Sequence, residues 1–259
     1  MMHSTAIISN KAKIHKNVKI GPFCIIDDNV EIGEDTELIS NVHIGGNTLI
    51  GSNNVFFPFS TIGLIPQDKK FKGEESSLLI GNNNTFREHV TINPGTKDGG
   101  MKTIVKNNCL IMIGSHIAHD CTISSNVILV NNAMLGGHVN IGECAIIGGN
   151  SAIHQFVNIG KYAMIGGMSG VESNIIPYGL YTGIRSNLRG LNLVGLKRKG
   201  LDKKIIQNIL TVFKKIFDTN NNLVFNISNL SKLEKNITEV IDIVEFINLY
   251  HKRGISSFK

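Results

Sequence analysis

Tryptophan is absent from this 259-residue chain, and aromatic residues make up only 6% of it. An interior built on large rings is therefore excluded, and a core of stacked aliphatic side chains is expected. The N-terminus lacks the positive-then-apolar pattern of an export signal, and no apolar run approaches the length of a membrane span. The chain is accordingly expected to be cytoplasmic, with no stable membrane insertion. Cysteine is also scarce, at four residues. Cys24, Cys109 and Cys121 recur at one small position of a repeat, with Cys144 elsewhere, so they are expected to be small buried residues and not a disulfide or zinc set. There is no Ser-His-Asp arrangement and no phosphate-binding glycine loop. Nucleic-acid binding is not expected, because the basic residues lack interleaved aromatics and form no known module.

What the chain has instead is a period of six. A large apolar residue stands at Ile8, Ile14, Ile20, Ile26, Ile32, Leu38, Ile44, Ile50, Phe56 and Ile62. The series resumes at Ile80, Phe86 and Ile92, and again from Val105 through Ile111 and Ile117 to Ile165 and Val171. Neither a helix nor an ordinary strand has this period, whereas stacked short strands separated by turns do. Two places before each large residue stands a small or β-branched one (Cys24, Val30, Thr36, Val42), which points the same way along a strand. Glycine often follows the large residue, where a tight corner is expected to need a permissive backbone. Three hexads per turn give a parallel β-helix of 18 residues per coil. The 25 hexads make about eight coils, a prism roughly 40 Å long at ~4.8 Å per coil. The period does not fix the hand of the coil.

Two segments interrupt the series. Residues 64–79 replace two hexads and keep the phase, while 94–103 are glycine-rich and shift it by one. Loops extruded from a rigid solenoid are natural sites for ligand contacts. From about residue 189 the period becomes helical. Leu191, Val194 and Leu196 lead to a stop at Gly200; Asp202 caps a helix carrying Ile205 to Phe217; a third helix lies within 222–235; a fourth carries Ile237 to Leu249. Residues 1–189 hold 14 basic and 14 acidic side chains, so the net charge of +6 lies in the helical part, densest at Lys197, Arg198, Lys199, Lys203 and Lys204. Such a patch suits an acidic protein or a phosphate.

His116, His119, His138 and His154 fall within one band of the prism. Residues 18 apart stack in a column, so His119, Gly137 and Gln155 form one column, Asp120 and His138 another, and Ala118, Gly136 and His154 a third. His119, Gly137, His138 and Gln155 are expected within about 10 Å of each other. A histidine there suits a general base at neutral pH. Asp120 can orient it only if a corner turns the two side chains together. Gly137 leaves its N–H open to a developing oxyanion.

The run Ile113-Gly114-Ser115-His116-Ile117-Ala118-His119-Asp120-Cys121, followed by Gly136-Gly137-His138, His154-Gln155-Phe156 and Gly195-Leu196-Lys197-Arg198, closely resembles the acyl-[acyl carrier protein]–UDP-N-acetylglucosamine O-acyltransferase family of lipid A biosynthesis. The resemblance covers nearly the whole chain, both interruptions included. It implies a mainly β fold, a left-handed parallel β-helix over 1–188 with a C-terminal α-helical domain over 189–259. It implies His119 as base toward the glucosamine 3-hydroxyl, which attacks the thioester of a β-hydroxyacyl carrier protein, and the Gly137 N–H as oxyanion donor. Gln67, Asp68 and Lys70, aided by His116, His138, His154 and Gln155, would hold the sugar. Asn192, Arg198 and Lys199 match positions that contact the nucleotide, its phosphates or the carrier protein. Gly167 matches a position where larger side chains shorten the acyl pocket, so the resemblance implies a longer acyl chain. A homotrimer with sites between neighbouring prisms is implied, and no cofactor or metal. Two departures stand out: Val194 replaces a common glutamate, and Lys199 stands where some members carry arginine, which alone offers a bidentate fork.

A related N-acyltransferase family carries a domain before its hexads, for which a repeat starting at Ile8 leaves no room. A trimeric β-helical carbonic anhydrase would use three histidines on zinc, drawn here as His116, His119 and His138. A scaffold β-helix would have no use for His119 at all.

Overall fold

The computed structural model describes residues 1–258; Lys259, the last residue of the expected helical domain, lies outside the described residues. The hexads fold into three sheets of nine, eight and ten strands, the faces of a triangular prism, parallel throughout except for the last strand of the ten. Most strands are two residues long, and each pairs with the strand one coil away, as in Ile8 with Ile26 and Ile117 with Leu135. The coil is a left-handed parallel β-helix, an exception to the usual right-handed crossover. The large apolar residues point inward and stack, with Phe56 and Phe86 face to face at 4.7 Å and both fully buried. Cys24, Cys109 and Cys121 are buried among them and unpaired. Burial pushes the Cys109 thiol up to about 11 and that of Cys121 to about 12, so neither is a thiolate nucleophile at neutral pH.

The corners differ from the sequence expectation in one respect. The residue with left-handed torsions is the third after the large apolar one, often asparagine (Asn29, Asn126, Asn150), and glycine directly after the apolar residue rarely has positive φ. Glycine is needed there for clearance. A Cβ on Gly21 would lie 1.7 Å from the Ile39 carbonyl oxygen, and one on Gly160 would lie 2.2 Å from the Pro177 nitrogen. The coils are too close at that point for any side chain.

The two interruptions also take a different form. Thr61–Ile62 and Ser77–Ile80 are consecutive strands of one coil, so the first interruption is an excursion from a corner and not a substitute for two hexads. The second lies between Thr91–Ile92 and Lys102–Val105. Both leave from the edge that follows the nine-stranded sheet, on adjacent coils. That edge is called the first edge below; the second and third follow the eight- and ten-stranded sheets.

The prism ends in an antiparallel pair, Gly179–Thr182 with Asn187–Leu191, added to the ten-stranded sheet. Leu191, read from sequence as the start of a helix, is buried in that last strand. Helices α1 (Leu193–Arg198), α2 (Lys203–Ile216), α3 (Leu223–Ser228), α4 (Lys232–Lys235) and α5 (Thr238–Tyr250) follow. Asp202 caps α2 by accepting from the Ile205 N–H, as expected. The single helix expected within 222–235 is two, because Ser231 and Glu234 form a capping box that starts a new one. The helices are tied to the prism by Lys161 and Tyr178 on Asp242, and by Asn174 on the Tyr250 carbonyl. Among the described residues no helix is long and apolar enough to cross a membrane.

Candidate active site

His119 and Asp120 occupy a first-edge corner. Asp120 takes the left-handed conformation (φ 59°), as do His138 (62°) and Phe156 (66°), stacked above it on successive coils. This conformation supplies the corner the sequence required. It turns the Asp120 side chain beside its neighbour, and Asp120 Oδ2 lies 2.7 Å from His119 Nδ1. A carboxylate can only accept, so His119 Nδ1 carries the proton and Nε2 is left with the lone pair.

Gly137 sits directly over that ring. A Cβ there would be 2.6 Å from His119 Cε1 and 2.7 Å from Nε2, so only glycine lets the backbone approach the imidazole. Among the described residues the Gly137 N–H donates to no protein oxygen. The His138 ring meets His119 edge-on at 5.1 Å and stacks on Phe156 at 4.2 Å. Burial lowers the His138 pKa from its ordinary value, against the opposing pull of Asp120, Asp68 and Asp98. Burial likewise lowers that of His116, with His119 adding to the effect. Both rings are thereby biased toward the neutral form.

The carboxylate is enclosed. Asp120 accepts from the Thr96 N–H at 2.9 Å and the Thr96 hydroxyl at 2.6 Å, and its own N–H donates to the Thr103 hydroxyl at 2.8 Å. Thr96 lies within the second excursion and Thr103 in the strand that follows it. The first excursion lies alongside, close enough for the Asp68 charge to act on His138. Gln67 and Lys70 are exposed there, and Lys70 Nζ stands 4.0 Å from Asp98 of the second loop. His116 accepts from or donates to the Thr91 hydroxyl at 2.7 Å. Arg253, unnoticed in the sequence, reaches back from beyond α5 to donate to the Gln155 carbonyl at 2.6 Å. It also contacts His154 Nδ1 at 3.0 Å.

The structure thus gathers Gln67, Asp68, Lys70, His116, His119, Asp120, Gly137, His138, His154 and Gln155 along the first edge. It does not bring the other predicted residues there. Gly167 is on the third edge, over Gly149. Asn192 is buried and caps α1, accepting from the Gly195 N–H and donating to the Tyr162 carbonyl beside the second edge. Lys199 pairs with buried Glu239 at 2.5 Å, between Tyr162 and Tyr178, while Arg198 is exposed. One grouping among the described residues has metal-ligand geometry: His119, Asp120 and His138, with ligand atoms within 4.8 Å of each other. His116, drawn in the zinc alternative, is outside it. Asp120 Oδ2 already accepts from His119 and Thr96, so binding an ion would break a satisfied network.

The pattern of bacterial transferase hexapeptides matches residues 5–40 and 102–137, and domain 2 of UDP-N-acetylglucosamine O-acyltransferases matches residues 174–256. The chain is 49% identical over 254 residues to an acyl-[acyl-carrier-protein]–UDP-N-acetylglucosamine O-acyltransferase of Thermodesulfovibrio yellowstonii, covering 98% of both. The enzyme of that name from Rickettsia prowazekii is 46% identical over 258 residues, all of this chain and 98% of its own. The chain belongs to this O-acyltransferase family. Two solved UDP-N-acetylglucosamine acyltransferases superpose closely on this family member. That of Francisella novicida has TM-score 0.95 at 38% identity, covering 99% of this chain and 94% of its own. That of Campylobacter jejuni has TM-score 0.93 at 36% identity, covering all of both. In this O-acyltransferase the His119, Gly137 and Asp120 arrangement is therefore the candidate catalytic centre.

Proposed function

We propose that the chain moves a β-hydroxyacyl group from the thioester of an acyl carrier protein to the glucosamine 3-hydroxyl of UDP-N-acetylglucosamine, the first step of lipid A biosynthesis. The observation that carries this reading is the close approach of the Gly137 backbone to His119, which sets an amide donor beside a basic nitrogen. His119 Nε2 takes the hydroxyl proton as the oxygen attacks the thioester carbonyl. The oxyanion accepts from the Gly137 N–H, and collapse of the tetrahedral adduct expels the carrier thiolate, which recovers the proton from His119. Asp120 holds the imidazole in the required tautomer. Gln67, Asp68, Lys70, His116, His138, His154 and Gln155 hold the sugar, and the chain works in the cytoplasm with no cofactor or metal.

The expected site residues fall on three different edges of one prism, with His119 on the first, Asn192 and Lys199 near the second and Gly167 on the third. A homotrimer is favoured by this distribution, since the cleft between two prisms is lined by different edges of the two copies. In that assembly Gly167 of a neighbour, with no side chain, leaves the acyl groove long, and Arg198 meets the nucleotide or the carrier protein. Asn192 and Lys199 act through α1, whose start and end they fix.

The test is direct transfer. Purified protein, UDP-N-acetylglucosamine and β-hydroxyacyl carrier proteins of several chain lengths are followed by mass spectrometry, with a 3-amino sugar nucleotide in parallel. The expected product is the 3-O-acyl sugar nucleotide. Absence of transfer to both acceptors would refute the proposal.

A further inference from the structure

We propose that Thr96 is a positioning residue that decides which of two histidines the Asp120 carboxylate serves. The inference rests on the reading of His119 as the base. Asp120 Oδ2 has two imidazoles within reach: His119 Nδ1 at 2.7 Å and His138 Nε2 at 4.0 Å. A small rotation of the carboxylate would exchange one partner for the other, and only one exchange product leaves a base against the Gly137 amide. The Asp120 backbone, pinned by its N–H to Thr103, does not set that rotation. Thr96 does. Its N–H holds Oδ1 and its hydroxyl holds Oδ2, two donors from one residue fixing both oxygens and so the plane of the group.

Thr96 is itself well held. It is 3% exposed, and its carbonyl accepts from the N–H groups of Gly99 and Met101, closing the second excursion into a tight turn. Gly99 completes the enclosure, since a Cβ there would fall 1.9 Å from Asp120 Cγ. Buried behind the carboxylate, Thr96 acts through Asp120 and His119. The seven residues by which the second interruption exceeds a hexad thus have a use: they carry a threonine to a point that the 18-residue stacking alone does not reach. The charged and titratable groups facing His119 are Asp120, His138 and His116 on the coils, with Asp68 and Asp98 from the two loops acting on His138.

The experiment compares Thr96→Val, Thr96→Ser and Gly99→Ala with wild type. Steady-state acyl transfer is measured alongside proton NMR of the hydrogen-bonded His119 Nδ1–H. Thr96→Val keeps the shape and removes the hydroxyl. A hydrogen bond to a charged group is worth roughly 10- to 100-fold, so kcat should fall by about that factor with KM within about 2-fold. Thr96→Ser should restore turnover and the downfield Nδ1–H signal, and Gly99→Ala should lose both by displacing the carboxylate. Wild-type kcat in Thr96→Val or Gly99→Ala would overturn the proposal, as would a Thr96→Ser variant no better than valine. The NMR arm needs no turnover. If wild type transfers no acyl group the O-acyltransferase reading fails, while a His119 Nδ1–H signal unchanged in Thr96→Val would sink the positioning role alone.

Discussion

Replacing Gly137 by alanine probes the catalytic geometry with one methyl group. The Gly137 backbone does not need left-handed torsions, so alanine fits its conformation and the damage is confined to what the methyl meets. It meets His119, with Cε1 and Nε2 at 2.6 and 2.7 Å from the added carbon. Carbon contacts are comfortable at about 3.5–4.0 Å, so the ring must retreat by about 1 Å. Retreat is opposed on the far side by the 2.7 Å bond to Asp120, itself locked by Thr96. The imidazole must therefore swing off its axis, moving Nε2 away from the acceptor hydroxyl. A misplacement of that size costs roughly 100-fold in rate. Overpacking at a half-buried ring should lower stability by about 1–3 kcal/mol. The assay is steady-state transfer from β-hydroxyacyl carrier protein to UDP-N-acetylglucosamine, with circular dichroism melting and sedimentation as fold controls. The expected outcome is kcat down by about two orders of magnitude in a folded protein. A folded variant within about 3-fold of wild type would refute the contact between Gly137 and His119 as the centre of catalysis.

Lys199→Met and Arg198→Ala should separate structure from binding in the basic cluster. The first strands the nearly buried Glu239 carboxylate and should destabilise by about 2–4 kcal/mol in thermal melting; the second, at an exposed site, should leave stability within about 0.5 kcal/mol and raise KM. An unchanged melting point for Lys199→Met would mean the ion pair does not hold the helices. Acid should weaken the fold, because burial lowers the pKa of His116 and His138, so the unfolded chain binds more protons. Stability from these two residues is intact above the ordinary histidine range and is lost as pH falls through it; His116→Gln and His138→Gln should flatten the melting-point profile between pH 7.5 and about 5.5. A profile as steep in both variants as in wild type would contradict that assignment.

Much of this was legible in the six-residue period, because a coil of constant length converts sequence spacing into spatial neighbours. From spacing alone it places His119 under Gly137 and Asp120 under His138. What it could not give was the direction of side chains at the corners, set by left-handed torsions at Asp120 and His138 rather than by strand alternation. The spacing locates the glycines but not their purpose, since the requirement at Gly21 or Gly160 is clearance between coils. Thr96 carries no such signal, because it lies in a segment where the phase breaks and stacking makes no prediction. Arg253 is 98 residues from Gln155 and carries no periodic signal. The break between α3 and α4 was readable, since Ser231 followed by Glu234 three residues later is a capping-box signature. The spacing of Leu191 to Val194 mimics a helix, although Leu191 is the buried end of the last strand.

Single-turnover acyl transfer by His119→Ala, with fold and oligomeric state verified, bears most directly on the claim that one imidazole, held by Asp120 and abutting Gly137, does the chemistry. The rate should fall by roughly 10²- to 10⁴-fold while both substrates still bind. A variant that transfers the acyl group within about ten-fold of the wild-type rate would mean that the base lies elsewhere.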